Sequence, residues 1–188
     1  MNKKTVSTQK MVISGLCIAL CYVLPFLTGS NFQLNKALSP MHIPVFLCGY
    51  VCGPWWAAAV GFLSPLFRSF TLGMPPLLNA TAMAFELAAY GMCAGLLYRL
   101  FPRKVLYLYA TLLIAMIAGR IVSVLANVVI CMLAGSAITA GVYITNAFVD
   151  TLPGAALHLA LIPPVVIALE NALPWLKKEK KKQLSPSS

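Results

Sequence analysis

The sequence is poor in charge, and acids are the scarcest of its charged residues. Only 10% of the 188 residues are charged, and Asp and Glu together number 4, whereas a soluble domain carries about 25% charged residues. Hydrophobic residues make up 60% of the chain, and the mean hydropathy is +0.85. Because so few acids cannot keep this much apolar surface dissolved, the composition excludes a soluble monomer. It predicts an all-α integral membrane protein.

The sequence also lacks the motifs on which catalysis and nucleotide hydrolysis depend. It contains no H-E-x-x-H zinc motif, no G-x-S-x-G nucleophile elbow and no Walker lysine motif. We therefore predict that the chain is not an enzyme, needs no cofactor and does not hydrolyse ATP itself.

The cysteines do not have the spacing of a metal or redox site. The first four form two pairs whose members are four residues apart, which is one helical turn and not the C-x-x-C spacing. All six cysteines lie in apolar segments, at positions 17, 21, 48, 52, 93 and 131. The pattern predicts small buried thiols and no bound metal.

No polar stretch is long enough to hold a second domain, so residues 1–175 are predicted to form one compact transmembrane domain. The net charge of +10 is concentrated before the first apolar run, around 99–104 and in the lysine-rich end of the chain. Residues 176–188 are predicted to be a basic, disordered cytoplasmic tail. Nucleic-acid binding would explain that tail alone, whereas membrane topology and attraction to lipid explain all three clusters.

Apolar segments and the breaks between them predict six transmembrane helices. Their approximate ranges are 11–28, 41–54, 57–71, 77–98, 105–134 and a stretch within 143–173. The second and third are short for a bilayer of about 30 Å, which needs roughly 20 residues. A five-span arrangement with 41–71 as one kinked hairpin is therefore the main alternative. Six spans put all three basic clusters on one side, and the positive-inside rule makes that side, with both termini, cytoplasmic.

Polar residues inside the predicted spans are the candidates for a binding site, because a charge at the centre of a membrane helix costs about 2.5–3.5 kcal/mol. Three spans carry such residues at helical spacing, each set on one face. They are Asn79 and Glu86 on the fourth span, Arg120 and Asn127 on the fifth, and Asn146, Asp150 and His158 on the sixth. In lipid these faces turn inward, and their depth predicts a pocket that opens outward.

Arg68 lies near the outer end of the third span, just before "TLGMPP", a break whose loop could cover such a pocket. Two interpretations stay open for Arg68 and Arg120. Each guanidinium either pairs with an acid such as Glu86 and pins the helices together, or binds a ligand. For His42 and His158, a buried core histidine and a ligand contact fit the sequence equally well.

The first span offers a surface to another helix. Gly15 and Ala19, in "SGLCIAL", have the small-xxx-small spacing that lets a partner helix approach closely. We therefore predict a partner contact on this face.

With these features, the chain resembles the substrate-binding S component of an energy-coupling factor (ECF) vitamin transporter. The resemblance covers about residues 10–173, and its specific part is 41–98. There "MHIPVFLCGYVCGPWWAAAVGFLSPLFRSFTLGMPP" is followed by "AMAFELAAYGMCAGLLYR", a block similar to pantothenate-type members. Gly15 and Ala19 stand where the family has an A-x-x-x-A helix, with glycine in place of the first alanine.

The resemblance implies a multi-pass protein of the bacterial plasma membrane that captures a vitamin at its outer face. Its partners would be a transmembrane scaffold subunit and two ATPase subunits. Pantothenate is the first expectation because its carboxylate suits Arg68 or Arg120. Riboflavin or a B6 vitamer comes next, because Glu86 and Asp150 balance the two arginines. A stand-alone carrier or channel, or a non-transport membrane scaffold, is the alternative.

Overall fold

Helices joined by short loops make up the part of the chain that the structure describes. The computed structural model describes residues 3–27, 38–101, 105–133 and 152–172. In chain order these ranges contain α1 (Lys3–Leu27), α2 (His42–Val51), α3 (Pro54–Leu72), α4 (Leu77–Leu100), α5 (Val105–Leu133) and α6 (Leu152–Ala172). Within these ranges no strand occurs, so the predicted all-α class is confirmed for them. The predicted tail at 176–188 lies outside them.

Four of these helices are long and apolar enough to cross a membrane. The segments are Ser7–Phe26 in α1, Leu77–Leu100 in α4, Val105–Met132 in α5 and Gly154–Ala172 in α6. A multi-pass membrane protein is therefore confirmed.

The outer surface of α5 shows what surrounds the bundle. Ile117, Ile121, Leu125 and Met132 are each more than half exposed. The first three recur every four residues and so form one stripe along the helix. A stripe this apolar on the outside of a bundle is the surface that lipid covers.

The segment 41–71 forms two helices that meet at Gly53. Gly53 has a φ of 101°, which only glycine adopts without strain. Pro54 follows in the first turn of α3, where its missing N–H costs no hydrogen bond. The 10 residues of α2 extend about 15 Å at 1.5 Å per residue. Since the hydrocarbon core of a bilayer is about 30 Å thick, α2 alone covers about half of it.

Glycines let α4 pack against α2 and α3 at backbone distance. A Cβ atom added to Gly61 would lie 2.5 Å from the backbone of Leu87, and one added to Gly91 would lie 2.8 Å from the Cβ of Ala57. Real Cβ atoms do not approach that closely, so both positions require glycine. This packing fixes α4 in the middle of the bundle and buries the residue before Leu87, which is Glu86.

Two hydrophobic clusters fill the interior. One contains four buried thiols where α1 packs on α2, namely Cys17, Cys21, Cys48 and Cys52. These four confirm the prediction of small buried thiols, while Cys93 and Cys131 are half-buried. The other cluster joins α2, α4, α5 and α6 through residues such as Phe46, Tyr90, Leu112 and Ile162. The candidate site lies at one end of this second cluster.

Candidate functional site

The carboxylate of Glu86 is the centre of the site. Glu86 is only 6% exposed, and three side chains donate hydrogen bonds to it. Oε1 accepts from Arg120 Nη1 at 2.8 Å and from the Tyr90 hydroxyl at 2.9 Å, and Oε2 accepts from the Ser123 hydroxyl at 2.7 Å. A buried carboxylate needs a compensating charge and several donors, and this one has both.

Helical spacing brings these donors together. Tyr90 is one turn after Glu86 on α4, and Ser123 is nearly one turn after Arg120 on α5, so each pair shares a helix face. Gly119 removes the side chain that would otherwise collide with the Tyr90 ring. The site is thus built where α5 crosses α4 at a glycine.

Arg120 has donors to spare. A guanidinium carries five N–H groups, and among the described residues only Glu86 accepts a hydrogen bond from it. Its charged carbon lies 5.9 Å from the centre of the Tyr90 ring, within the range of a cation–π contact. The side chain is 14% exposed, so the unused N–H groups are near the surface of the cluster. Arg120 is therefore able to bind a second acceptor.

Two histidines share one backbone carbonyl beside this carboxylate. The Ser39 carbonyl oxygen lies 3.1 Å from His42 Nδ1 and 3.3 Å from His158 Nε2. The two imidazole rings stack with their centres 5.6 Å apart. Ser39 has a φ of 44°, which is uncommon for a residue other than glycine. This backbone conformation lets one carbonyl hold both rings.

The second ring nitrogen of His42 points at Glu86. Nε2 lies 3.6 Å from Glu86 Oε1, which is too long for a hydrogen bond. The atom is buried and has no hydrogen-bond partner among the described residues. Since buried polar atoms are nearly always partnered, this nitrogen is the unsatisfied atom of the site.

α2 begins inside the bundle, at this cluster. Met41, His42 and Val45 are all buried, and Pro44 lies in the first turn, where a missing N–H leaves no bond unmade. A helix that starts within a membrane protein directs its backbone N–H groups and positive dipole end inward. Discontinuous helices of this kind line the substrate sites of many transporters.

Arg68 lies elsewhere, at the contact between α1 and α3. Its Nη1 donates to the Tyr22 carbonyl at 3.0 Å, and its guanidinium lies 5.1 Å from the centre of the Phe26 ring. The next residue, Ser69, donates its hydroxyl to the Pro75 carbonyl at 2.8 Å. Arg68 therefore ties two helices together beside the 73–76 loop, and the acid partner that the sequence left open, Glu86, is held by Arg120.

The remaining predicted site residues are distributed as follows. His158 belongs to the histidine pair. Asn127 is on the same helix as Arg120, but its amide donates to the Ser123 carbonyl of its own helix at 2.8 Å. Asn79 is exposed at the start of α4. Asn146 and Asp150 lie outside the described residues. The structure therefore brings together Glu86, Arg120 and His158 and leaves Arg68 and Asn79 apart from them.

The site also includes residues that the sequence-based prediction omits. Tyr90 and Ser123 share helix faces with Glu86 and Arg120 but are absent from the predicted set. For His42 the sequence left a core position and a ligand contact equally open. A signal for His42 exists, namely a polar residue at the start of an apolar helix of only 10 residues. Ser39 contributes through its carbonyl oxygen, for which a side-chain pattern gives no signal.

The surface predicted to meet a partner is open in the structure. Gly15 and Ala19 are both exposed, and a Cβ atom added to Gly15 would meet nothing within 4 Å. A groove of this kind admits a second helix at close range.

One comparison with known proteins identifies the family. A family model described as "ECF transporter, substrate-specific component" matches residues 9–166, which is most of the chain. No curated protein and no solved structure matches the sequence of this chain. Since the match runs through the helices that build the Glu86 site, this chain belongs to the family of substrate-specific components of ECF transporters.

Proposed function

We propose that this substrate-specific membrane subunit captures a water-soluble vitamin at the outer face of the bacterial plasma membrane. Pantothenate is the first candidate, and riboflavin or a B6 vitamer comes next. Uptake would be driven by ATP in a complex with a transmembrane scaffold subunit and two ATPase subunits. One observation carries the proposal. The Glu86 carboxylate already accepts three hydrogen bonds, whereas the Arg120 guanidinium paired with it still has N–H donors that are free within the described residues.

Electrostatics favour Arg120 over Glu86 as the ligand-binding partner. Glu86 already accepts three hydrogen bonds, while Arg120 donates only one within the described residues. A ligand carboxylate or carbonyl that meets two of the free N–H groups would form the fork-shaped contact that arginine favours. Because the Glu86–Arg120 pair has no net charge, a neutral carbonyl adds no charge to the site, whereas a ligand carboxylate would need a further cation or hydrogen-bond donors beside it.

The proposed binding site has an inner wall, further polar residues and a mouth. Glu86, Arg120 and His158 form its inner wall. Asn127 lies two turns after Arg120 on α5, and Asn146 and Asp150 complete the set proposed from the sequence. Arg68 and Asn79 would act only at the mouth, because neither contacts the Glu86 cluster among the described residues.

The proposed topology has six spans and both termini in the cytoplasm. In this arrangement residues 1–175 form one domain, and the basic clusters face the inner leaflet. The Arg120–Glu86 cluster would then lie toward the outer side. α2 and α3, joined at Gly53, would count as two of the six spans.

The packed interior disfavours a stand-alone channel. Below the polar cluster, Phe46, Leu112 and Ile162 are fully buried between α2, α5 and α6. A channel needs a polar path through this region, and these apolar side chains block it. A stand-alone carrier, a channel and a non-transport scaffold are the alternative functions that the experiment below distinguishes from vitamin capture.

The experiment is mass spectrometry of the small molecule that co-purifies with the membrane-extracted protein. The proposal predicts one vitamin in near-stoichiometric amount, together with the scaffold and ATPase subunits when these are co-expressed. A protein that carries no small molecule, takes up none of the three candidate vitamins when they are supplied and retains no ATPase subunit would contradict it.

A further inference from the structure

The unpartnered nitrogen of His42 carries information about the ligand. His42 is 4% exposed, and its Nε2 makes no hydrogen bond with any described residue. It faces the same Glu86 oxygen as Arg120, at 3.6 Å against 2.8 Å for Arg120 Nη1. His42 Nε2 and the Arg120 guanidinium therefore meet at one carboxylate oxygen.

The Ser39 carbonyl determines what His42 Nε2 can offer. A carbonyl oxygen only accepts hydrogen bonds, so the Nδ1 atom 3.1 Å away must carry the hydrogen. In the neutral imidazole with Nδ1 protonated, Nε2 is left with its lone pair and is an acceptor. Of the two neutral tautomers, the backbone thus selects the one whose Nε2 lone pair faces the Glu86 carboxylate at 3.6 Å. A ligand hydrogen placed at Nε2 would relieve the repulsion between this lone pair and the carboxylate.

Arg120 and His42 consequently present opposite chemistry side by side. Arg120 can only donate, and Nε2 of neutral His42 can only accept. A ligand that satisfies both must carry an acceptor next to a donor. A hydroxyl or N–H group beside a carboxylate or carbonyl meets this requirement, whereas an isolated carboxylate satisfies Arg120 alone.

Resting on the vitamin-capture function proposed above, we propose that His42 is a specificity-determining residue whose Nε2 accepts a hydrogen bond from the ligand. The ligand class is a molecule with a hydroxyl or N–H donor adjacent to a carboxylate or carbonyl acceptor. The acceptor binds Arg120 and the donor binds His42. Glu86 holds Arg120 in place, and Ser39 holds the His42 ring.

Two substitutions separate the roles of the two ring nitrogens. The amide of asparagine reaches the position of Nδ1 and can still donate to Ser39, but it offers nothing at the Nε2 position. The longer amide of glutamine reaches the Nε2 position and can accept there. His42→Asn thus removes the proposed ligand contact while it keeps the backbone tie, and His42→Gln is its matched control.

The test begins with titration calorimetry of pantothenate, riboflavin and pyridoxal against the purified wild-type protein. If none binds, the proposed vitamin capture fails. With the vitamin that binds, we expect His42→Asn to weaken the affinity about tenfold, as loss of a single ligand hydrogen bond would do. His42→Gln should stay within about threefold of wild type. If His42→Asn binds as tightly as wild type, the role of His42 is overturned while vitamin capture stands.

Methylated ligands provide a second measurement that does not need a variant to fold. Each O–H or N–H hydrogen of the vitamin is replaced by methyl in turn, and the affinity of wild type is measured for each form. We expect one methylated form to bind at least about tenfold more weakly, and to lose no further affinity on His42→Asn if that variant folds. If every methylated form binds wild type as tightly as the vitamin does, the proposal is overturned.

Discussion

Arg68 and Arg120 occupy similar places in the sequence, each a single guanidinium within an apolar run, but they have different partners. Arg120 meets a carboxylate between α4 and α5, whereas Arg68 donates to a backbone carbonyl of α1. The helical spacing of Arg120 and Asn127 predicts the polar face of α5. No pattern predicts the partner of Arg68, because a backbone carbonyl is present at every position of α1.

Replacing Arg68 tests whether it supports the structure or binds the ligand. Arg68→Met keeps the apolar stem but removes the hydrogen bond to Tyr22 and the contact with the Phe26 ring. We expect the free energy of unfolding to fall by about 1–2 kcal/mol, and the affinity for the vitamin to stay within about twofold of wild type. Thermal melting in detergent and titration calorimetry measure the two quantities.

Arg68→Lys is the matched control, since its ammonium group can still reach a carbonyl. It should recover part of the lost stability. A vitamin affinity that falls about tenfold in Arg68→Met, with unchanged melting, would instead assign Arg68 to the ligand, as the sequence first suggested.

At the level of single residues, the sequence predicts Glu86, Arg120 and His158 as site residues, because charged and polar side chains are rare in lipid. It does not show which donor meets which acceptor. Pairing depends on the rotation of each helix about its axis, and that rotation is set by close contacts such as Gly119 against Tyr90. The sequence gives no signal for the role of Ser39, because Ser39 acts through its backbone carbonyl. The same holds for the carbonyl that binds Arg68.

At the level of helices, the sequence gives boundaries within a few residues wherever glycine or proline punctuates it. The span predicted at 77–98 is α4, Leu77–Leu100, and the span predicted at 105–134 is α5, Val105–Leu133. The helix predicted at 41–54 is shorter, because the chain turns at Cys52 and Gly53 before Pro54. Its start inside the bundle could not be predicted, because it depends on packing of α2 against α4.

The glycines of α3 and α1 make a matched pair for testing the packing of helices. A Cβ atom on Gly61 would collide with the backbone of Leu87, while one on Gly15 meets nothing. Gly→Ala in a helix interior otherwise stabilises by about 1 kcal/mol, and overpacking costs about 1–3 kcal/mol. We expect Gly61→Ala to lower the melting temperature and Gly15→Ala to leave it unchanged or raise it.

Thermal melting of both variants in the same detergent measures this difference. Equal melting temperatures would mean that α3 does not approach α4 as closely at Gly61 as the structure shows.

At the level of the whole molecule, composition alone identifies the membrane class, because so few charges cannot cover a soluble surface. The structure adds the distribution of apolar residues, with the exposed stripe of α5 on the outside and the Glu86 cluster within. How the helices are arranged around that cluster is a long-range property. It follows from shape complementarity between distant segments, which composition and periodicity do not contain.

The open face of α1 predicts a defect in assembly that is separate from binding. Ala19→Leu adds bulk to the small-residue groove beside Gly15. We expect it to leave the vitamin affinity within about twofold of wild type while it abolishes association with the transmembrane scaffold subunit. Co-purification of the ATPase subunits and ATP-driven uptake in proteoliposomes measure the loss.

Ala168→Leu, at an exposed position of α6, is the control for added bulk on the lipid-facing surface and should assemble normally. Normal assembly of Ala19→Leu would show that this face of α1 is not where the scaffold binds.

Titration of the proposed vitamin into wild type and Arg120→Lys tests the ligand-binding role of Arg120 most directly. Lysine keeps the positive charge that Glu86 needs, but its compact ammonium lacks the planar fork with which Arg120 could bind two acceptor atoms of a ligand. We predict a folded variant whose affinity for the vitamin is about tenfold to a hundredfold weaker, which corresponds to about 1.5–3 kcal/mol. An Arg120→Lys protein that melts like wild type and binds the vitamin with unchanged affinity would contradict it.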